Sequence, residues 1–176
     1  MTSQSREVGK IKKAHWEDAS SYESRRTRLY GGNVRYIFLT QQFYVDYANC
    51  VEIEQKQTRP YVQVHVTIND INFALPLRSN IKHKHAFWTD KTNRCGIDFS
   101  KAVVIEDAKY IDNSIIPYIR PQEFRALLGK EYAVKQGLIS YIERYKSAKI
   151  NPNKHEKRIL LKYSTLQYFE KYIFTK

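Results

Sequence analysis

Two neighbouring stretches of the chain alternate with a period of two. Val62, Val64, Val66 and Ile68 alternate with Gln63, His65, Thr67 and Asn69; after Asn69-Asp70, Ile71, Phe73, Leu75 and Leu77 resume the alternation. That period gives each strand one apolar and one polar face, and the Asn-Asp pair suits the connecting turn, so a β-hairpin is predicted. Pro76 has no N–H for a ladder, so the second strand should end there or lie at an edge. Residues 34–39 read as an opening strand. Thr40 is a suitable N-cap for a short helix over 41–48, which sets Phe43, Tyr44 and Tyr47 at helical spacing.

Further along, residues 52–58 read as a polar loop, and a short strand is expected over 101–105 after a turn containing Gly96. Ile115 and Ile116 precede Pro117, and Pro121 stands where a helix would start. Residues 123–145 then read as one long helix or two. Phe124, Leu127, Leu128, Ala133, Leu138, Ile142 and Tyr145 form its apolar stripe, with Gly129 and Gly137 as weak points. Asn151-Pro152-Asn153 is a loop, and Ser164 with Gln167 forms a capping box for a last helix reaching Ile173. The elements predict a single α+β domain over 33–176, a mainly antiparallel sheet flanked by helices. Residues 1–32 form a polar, basic extension in which Arg25, Arg26 and Arg28 can add phosphate contacts.

Composition adds direction to this outline. The 176 residues carry 30 Lys and Arg against 18 Asp and Glu, a formal net charge of +12. Such a field draws polyanions and favours phosphate backbones. Aromatics set among cations suit unpaired bases, and the chain has 14 tyrosines, many of them needed for the core. The two cysteines, Cys50 and Cys95, make no disulfide framework and no metal-ligand spacing, as expected of a reducing cytosol. No window has the apolar length of a membrane span, and the first residues hold no signal-peptide stretch, so a soluble cytoplasmic protein is expected.

The densest polar cluster follows the hairpin's second strand: Arg78, Ser79, Asn80, Lys82, His83, Lys84 and His85. Cleaving RNA through its own 2′-hydroxyl requires that hydroxyl deprotonated, the leaving 5′-oxygen protonated and the charge gathering on phosphorus stabilised. Imidazole serves either proton transfer. Arg and Lys clamp phosphate oxygens, and a hydroxyl orients one. On composition alone, a surface loop that binds RNA without cutting it is the commoner use of such a cluster.

The segment Leu75-Pro76-Leu77-Arg78-Ser79 with Lys82-His83 resembles the active loop of the ToxN/AbiQ endoribonuclease toxins of type III toxin–antitoxin systems, nearest their TenpN and CptN branches. Residues 34–49, Arg59-Pro60-Tyr61-Val62, residues 96–105 and residues 161–174 resemble further family segments in the same order, so the likeness spans 34–174. It implies a compact, strongly twisted sheet related to MazF/Kid-like toxins. It also implies cleavage without metal or other cofactor, leaving a 2′,3′-cyclic phosphate on cellular or phage RNA, with a role in phage defence by abortive infection. The implied partner is a repeated, pseudoknotted antitoxin RNA that closes with the toxin into a hetero-oligomeric assembly. Ser79 matches the family's active-loop serine and Lys82 its lysine. Arg59 matches a basic residue at the start of the central strand. Arg78 stands where the family has threonine, and Asn80-Ile81 replaces its proline.

Combined, the residues and the resemblance assign Ser79, Lys82, Arg78 and His83 to catalysis, and Arg59, Tyr61, Lys84, His85 and Arg94 to RNA binding. A non-catalytic basic RNA- or DNA-binding protein is the alternative. A metal-dependent nuclease needs clustered carboxylates, whereas the acids here are scattered, and His15, His65 and His155 have no partner at ligand spacing, so no metal is expected. Asp98, in Gly-Ile-Asp-Phe, suits a carboxylate hydrogen-bonded to nearby backbone.

Overall fold

The computed structural model of the chain describes residues 34–66 and 71–174. The extension with Arg25, Arg26 and Arg28, the Asn69-Asp70 turn and the side-chain alternation over 63–70 lie outside what it describes. The fold is α+β, as expected. Seven strands build one sheet: β1 (Val34–Leu39), β2 (Tyr61–Val66), β3 (Ile71–Arg78), β4 (Ala86–Asp90), β5 (Cys95–Asp98), β6 (Val103–Val104) and β7 (Ile111–Asp112). Across it the order is β4-β5-β3-β2-β1-β7, with β6 also on β3, and the pairings are antiparallel. Among the described residues five helices accompany it: α1 (Gln41–Asp46), α2 (Pro121–Leu127), α3 (Glu131–Ile150), α4 (His155–Tyr163) and α5 (Glu170–Ile173).

The predicted hairpin is the centre of the sheet. β2 and β3 pair from Val66↔Ile71 to Tyr61↔Pro76. Contrary to expectation, β3 neither ends at Pro76 nor lies at an edge; it runs on to Arg78 between β2 and its other neighbours. The proline is tolerated because of where β3 changes partner. The Leu77 N–H bonds Pro60 O on the β2 side at 3.0 Å, so the missing donor of Pro76 would point the other way. On that side β6 pairs only at Phe73 and Ala74 and β5 only from Leu77, leaving Pro76 in the gap. Phe73 to Leu77 are all buried, so β3 is covered on both faces rather than alternating.

Other expectations changed in detail. Gly96 lies in β5 rather than in a turn, and a Cβ there would meet the Phe87 carbonyl oxygen at 2.1 Å, so its bare backbone is what lets β4 and β5 pair. Residues 99–101 form a 3-10 turn, which shortens the expected strand over 101–105 to β6. Thr40 flanks α1, but its hydroxyl donates to Lys109 O at 3.0 Å instead of capping the helix. The long helical stretch is two helices, α2 starting at Pro121, with the break at Gly129, whose φ is +69°. Leu128 and Ala133 are exposed, and Val134 takes the inward position. Helix α4 was not anticipated; it is short and none of its residues is fully buried, with Leu160 and Leu161 packing partly buried against the core. The expected terminal helix is divided: Ser164 Oγ caps a 3-10 turn by accepting from Leu166 N, and α5 follows.

Helix α3 closes the core through Val134, Leu138, Tyr141, Ile142 and Tyr145. Gly137 lies on this helix, where a Cβ would meet the Phe99 ring at 2.5 Å, and Phe99 is itself buried. Gly137→Ala would gain helix propensity of about 1 kcal/mol. The clash outweighs that gain, and the predicted net result is a loss of about 1–2 kcal/mol in chemical denaturation. A variant more stable than the parent would show that Phe99 yields.

Candidate functional site

The hairpin delivers Arg78 to the end of β3, opposite Gly96 of β5. There its guanidinium is held by two carboxylates from different elements. Nη1 donates to Asp98 Oδ2 at 2.5 Å, and Nε lies 2.9 Å from Glu54 Oε2 as an ion pair rather than an aligned hydrogen bond. Glu54 comes from the loop over 52–58 and also sits 3.4 Å from Arg59 Nε. Arg59 Nη1 donates to Leu77 O at 2.7 Å, so both arginines are fixed against the strand they flank.

Asp98 is completely buried and is the hub of the cluster. Its Oδ1 accepts from Ser100 N at 2.9 Å and from Ser100 Oγ at 2.7 Å, which caps the 3-10 turn. His83 Nε2 lies 3.4 Å from the same oxygen and 3.1 Å from Ser100 Oγ. Burial opposes ionisation of Asp98, but the His83 contact, the Ser100 hydrogen bonds and the Arg78 charge together outweigh it and hold the carboxyl below its usual range. The backbone-bonding role expected of Asp98 is therefore present, with an arginine and a histidine added.

Serine, histidine and aspartate at these distances invite comparison with a nucleophile chain, but the wiring differs. In such a chain the hydroxyl and the carboxylate occupy opposite ring nitrogens. Here both meet Nε2, Ser100 donates straight to Asp98, and Ser100 is buried. The other nitrogen of His83, Nδ1, accepts the His85 main-chain N–H at 3.3 Å. With both nitrogens turned inward, His83 acts here as a positioning residue, and direct proton transfer requires its ring to turn outward.

The loop after β3 is anchored rather than loose. Asn80 turns the chain at φ 60°, a region Asn tolerates better than most residues. Ile81 is buried, its N–H bonds Arg94 O at 3.1 Å, and Arg94 Nε bonds Ile81 O at 2.6 Å. Ser79 and Lys82 are exposed on either side of this anchor. The His85 and Tyr141 rings pack with centroids 5.3 Å apart at a 59° tilt, and burial, helped by the charge of His83 and nearby cations, lowers the His85 pKa to about 4. At neutral pH it is an uncharged packing group.

An open cleft of about 330 Å³ lies beside this cluster. Lys56, Arg59, Arg78 and Arg120 supply its cations, Thr58 and Ser79 its hydroxyls, Tyr118 its exposed ring and Glu123 its carboxylate. Of the residues expected from sequence, Arg59, Arg78 and Ser79 meet here. Lys82, His83, Lys84, His85 and Arg94 do not line the cleft, although His83 reaches it through Asp98 and Arg78. Tyr61 requires correction. It is fully buried in the first position of β2, facing Tyr44, and is a core residue rather than an RNA contact. Sequence reasoning missed Glu54, Lys56, Tyr118, Arg120 and Glu123; the signal present was an aromatic and a cation between two prolines, Pro117 and Pro121. Among the described residues, no group of three or more His, Cys, Asp or Glu is placed to hold a metal ion, and no helix is long and apolar enough to cross a membrane. Comparison with family models, curated proteins and solved structures finds no match.

Two predictions concern this cluster. Asp98→Asn leaves Arg78 and His83 facing an amide, and breaking a buried charged network costs about 3–5 kcal/mol, read as a lowered denaturation midpoint. The folded pKa of Asp98 is depressed, so its contribution is present above about pH 4 and is lost as pH falls through the folded value. The acid limb of the stability curve should therefore be shallower in the variant. An unchanged midpoint and acid limb would remove Asp98 as the hub. Separately, the His85 ring, followed by NMR, should stay neutral down to about pH 4; titration near 6.5 would place it in solvent.

Proposed function

We propose that this chain is a cytoplasmic, metal-independent endoribonuclease, the toxin of a type III toxin–antitoxin pair restrained by a repeated, pseudoknotted RNA. The observation that carries the reading is the convergence of Arg59, Arg78 and Ser79 on one cationic cleft at the end of the central hairpin. Of these, the family likeness marks Ser79 and Arg59, while Arg78 stands where the family has threonine; the β2–β3 pairing sets Arg59 beside Arg78 and Ser79.

The reaction proposed is a transesterification. An RNA 2′-oxygen attacks the adjacent phosphorus, the 5′-oxygen leaves, and a 2′,3′-cyclic phosphate remains. Negative charge rises on the non-bridging oxygens, and fixed donors aimed at them lower the barrier because they need no reorganisation during the step. Arg78, clamped by Glu54 and Asp98, and Arg59, clamped to the Leu77 carbonyl, are fixed donors of that kind. Ser79 orients a phosphate oxygen from the mouth. Lys82, beyond the cleft lining, stabilises charge on an RNA strand that continues over the loop. Proton transfer falls to His83 when its ring swings out from Asp98.

The alternative, an RNA-binding protein without cleavage, has two observations in its favour. Both ring nitrogens of His83 face the protein, and the cleft's carboxylate, Glu123, is bound to Arg120 at 2.7 and 3.0 Å. Inducible expression in a bacterial host without antitoxin separates the two. The nuclease reading predicts growth arrest with fragmentation of cellular RNA, relieved at least a hundredfold in plating efficiency by Ser79→Ala and by Lys82→Ala. Arrest with intact RNA favours the binder, and undiminished toxicity in both variants removes this site.

A further inference from the structure

We propose that Tyr118 is a stacking platform for one unpaired nucleobase, so that the cleft accepts single-stranded RNA and rejects duplex. The inference deepens the preceding reading and rests on it for the identity of the polymer, but not on cleavage.

Tyr118 is 76% exposed although it belongs to a large aromatic type that folding normally covers. Its neighbours Ile115 and Ile116 are each 54% exposed, so this is an uncovered apolar strip and not one stray ring. The segment is held extended. Pro117 and Pro121 each restrict the residue before them, and Arg120 sits at φ −56°, ψ 136°. A ring on such a strap loses little freedom when a ligand meets it.

What faces the ring decides the ligand. The same cleft carries Arg59, Arg78 and Arg120 with the Ser79 hydroxyl, groups that bind a phosphate, alongside Glu123, which is paired with Arg120. An exposed aromatic ring and a set of cations lining one cleft match a nucleotide, base on the ring and phosphate on the guanidinium groups. At about 330 Å³ the open space is at the lower end for small-ligand sites and takes one extruded nucleotide, whereas a base in a duplex has both faces already stacked and offers none to the ring. Arg120 is tied to Glu123 at 2.7 Å, which fixes one of the cleft's cations.

The test uses a fluorescent single-stranded 2′-O-methyl RNA, which lacks the attacking hydroxyl, so that binding is read whether or not the protein is a nuclease. Anisotropy titrations compare the full chain with Tyr118→Ala, Tyr118→Phe and Arg59→Ala, each with single strand and with duplex. Stacking predicts about tenfold weaker binding for Tyr118→Ala, affinity within about twofold for Tyr118→Phe, and an unchanged salt slope for both. Arg59→Ala should lower the salt slope by about one. Duplex should bind more weakly than single strand and be insensitive to Tyr118→Ala. Unaltered affinity in Tyr118→Ala overturns the proposal, as does a Tyr118→Phe loss equal to that of alanine, which would assign the hydroxyl instead of the ring. Cleavage of natural RNA with unaltered affinity in Tyr118→Ala would sink this inference alone. Ring-dependent binding without cleavage would sink the nuclease reading alone.

Discussion

The buried carboxylate of Asp98 is the constraint on which the site depends. A charge with no solvent contact is tolerated only when partners surround it. Here those partners come from the end of β3, the 3-10 turn after β5 and the loop after β3, through Arg78, Ser100 and His83. Satisfying one anion therefore fixes three segments at once. Moving Arg78 away would strip the buried Asp98 Oδ2 of its guanidinium, and the loop carrying Ser79 inherits that rigidity from the strand before it.

The same arrangement explains how a cationic cleft can be orderly. Glu54 and Asp98 sit behind the arginines and neutralise part of their charge, which limits nonspecific attraction at the cleft itself while aiming the guanidinium groups. The long-range pull on a polyanion that the proposed function calls for is available instead from the chain's net charge of +12. Steering and orientation are thus supplied by different residues. A neutral His85 packed on Tyr141 belongs to neither task; it supports the loop from beneath.

Much of the fold was legible where the chain follows a simple period. β1, the β2–β3 pairing, the Pro121 start and the loop over 52–58 lay in the pattern of apolar positions and breakers. β4 and β5 were not, because Ala86–Asp90 mixes its faces, a bulge interrupts their register and Gly96 reads as a turn until its close approach to Phe87 is known. In the site, Arg78, Ser79 and Arg59 could be found because cations and a hydroxyl at a strand end are unusual in sequence. Tyr61 and Tyr118 show the limit: both are tyrosines near cations, and only tertiary packing makes the first a core residue and the second an exposed wall. Glu54 was visible as a loop acid, but its pairing with two arginines depends on how that loop folds back on β3.

The central claim is that this cleft breaks RNA through the RNA's own hydroxyl, with protein cations carrying the charge. Incubating the purified chain with a long natural RNA in excess EDTA and identifying the new 3′ ends tests it most directly. The account predicts discrete fragments ending in 2′,3′-cyclic phosphate. RNA that is bound but remains intact, or fragments formed only when divalent metal is restored, would contradict it.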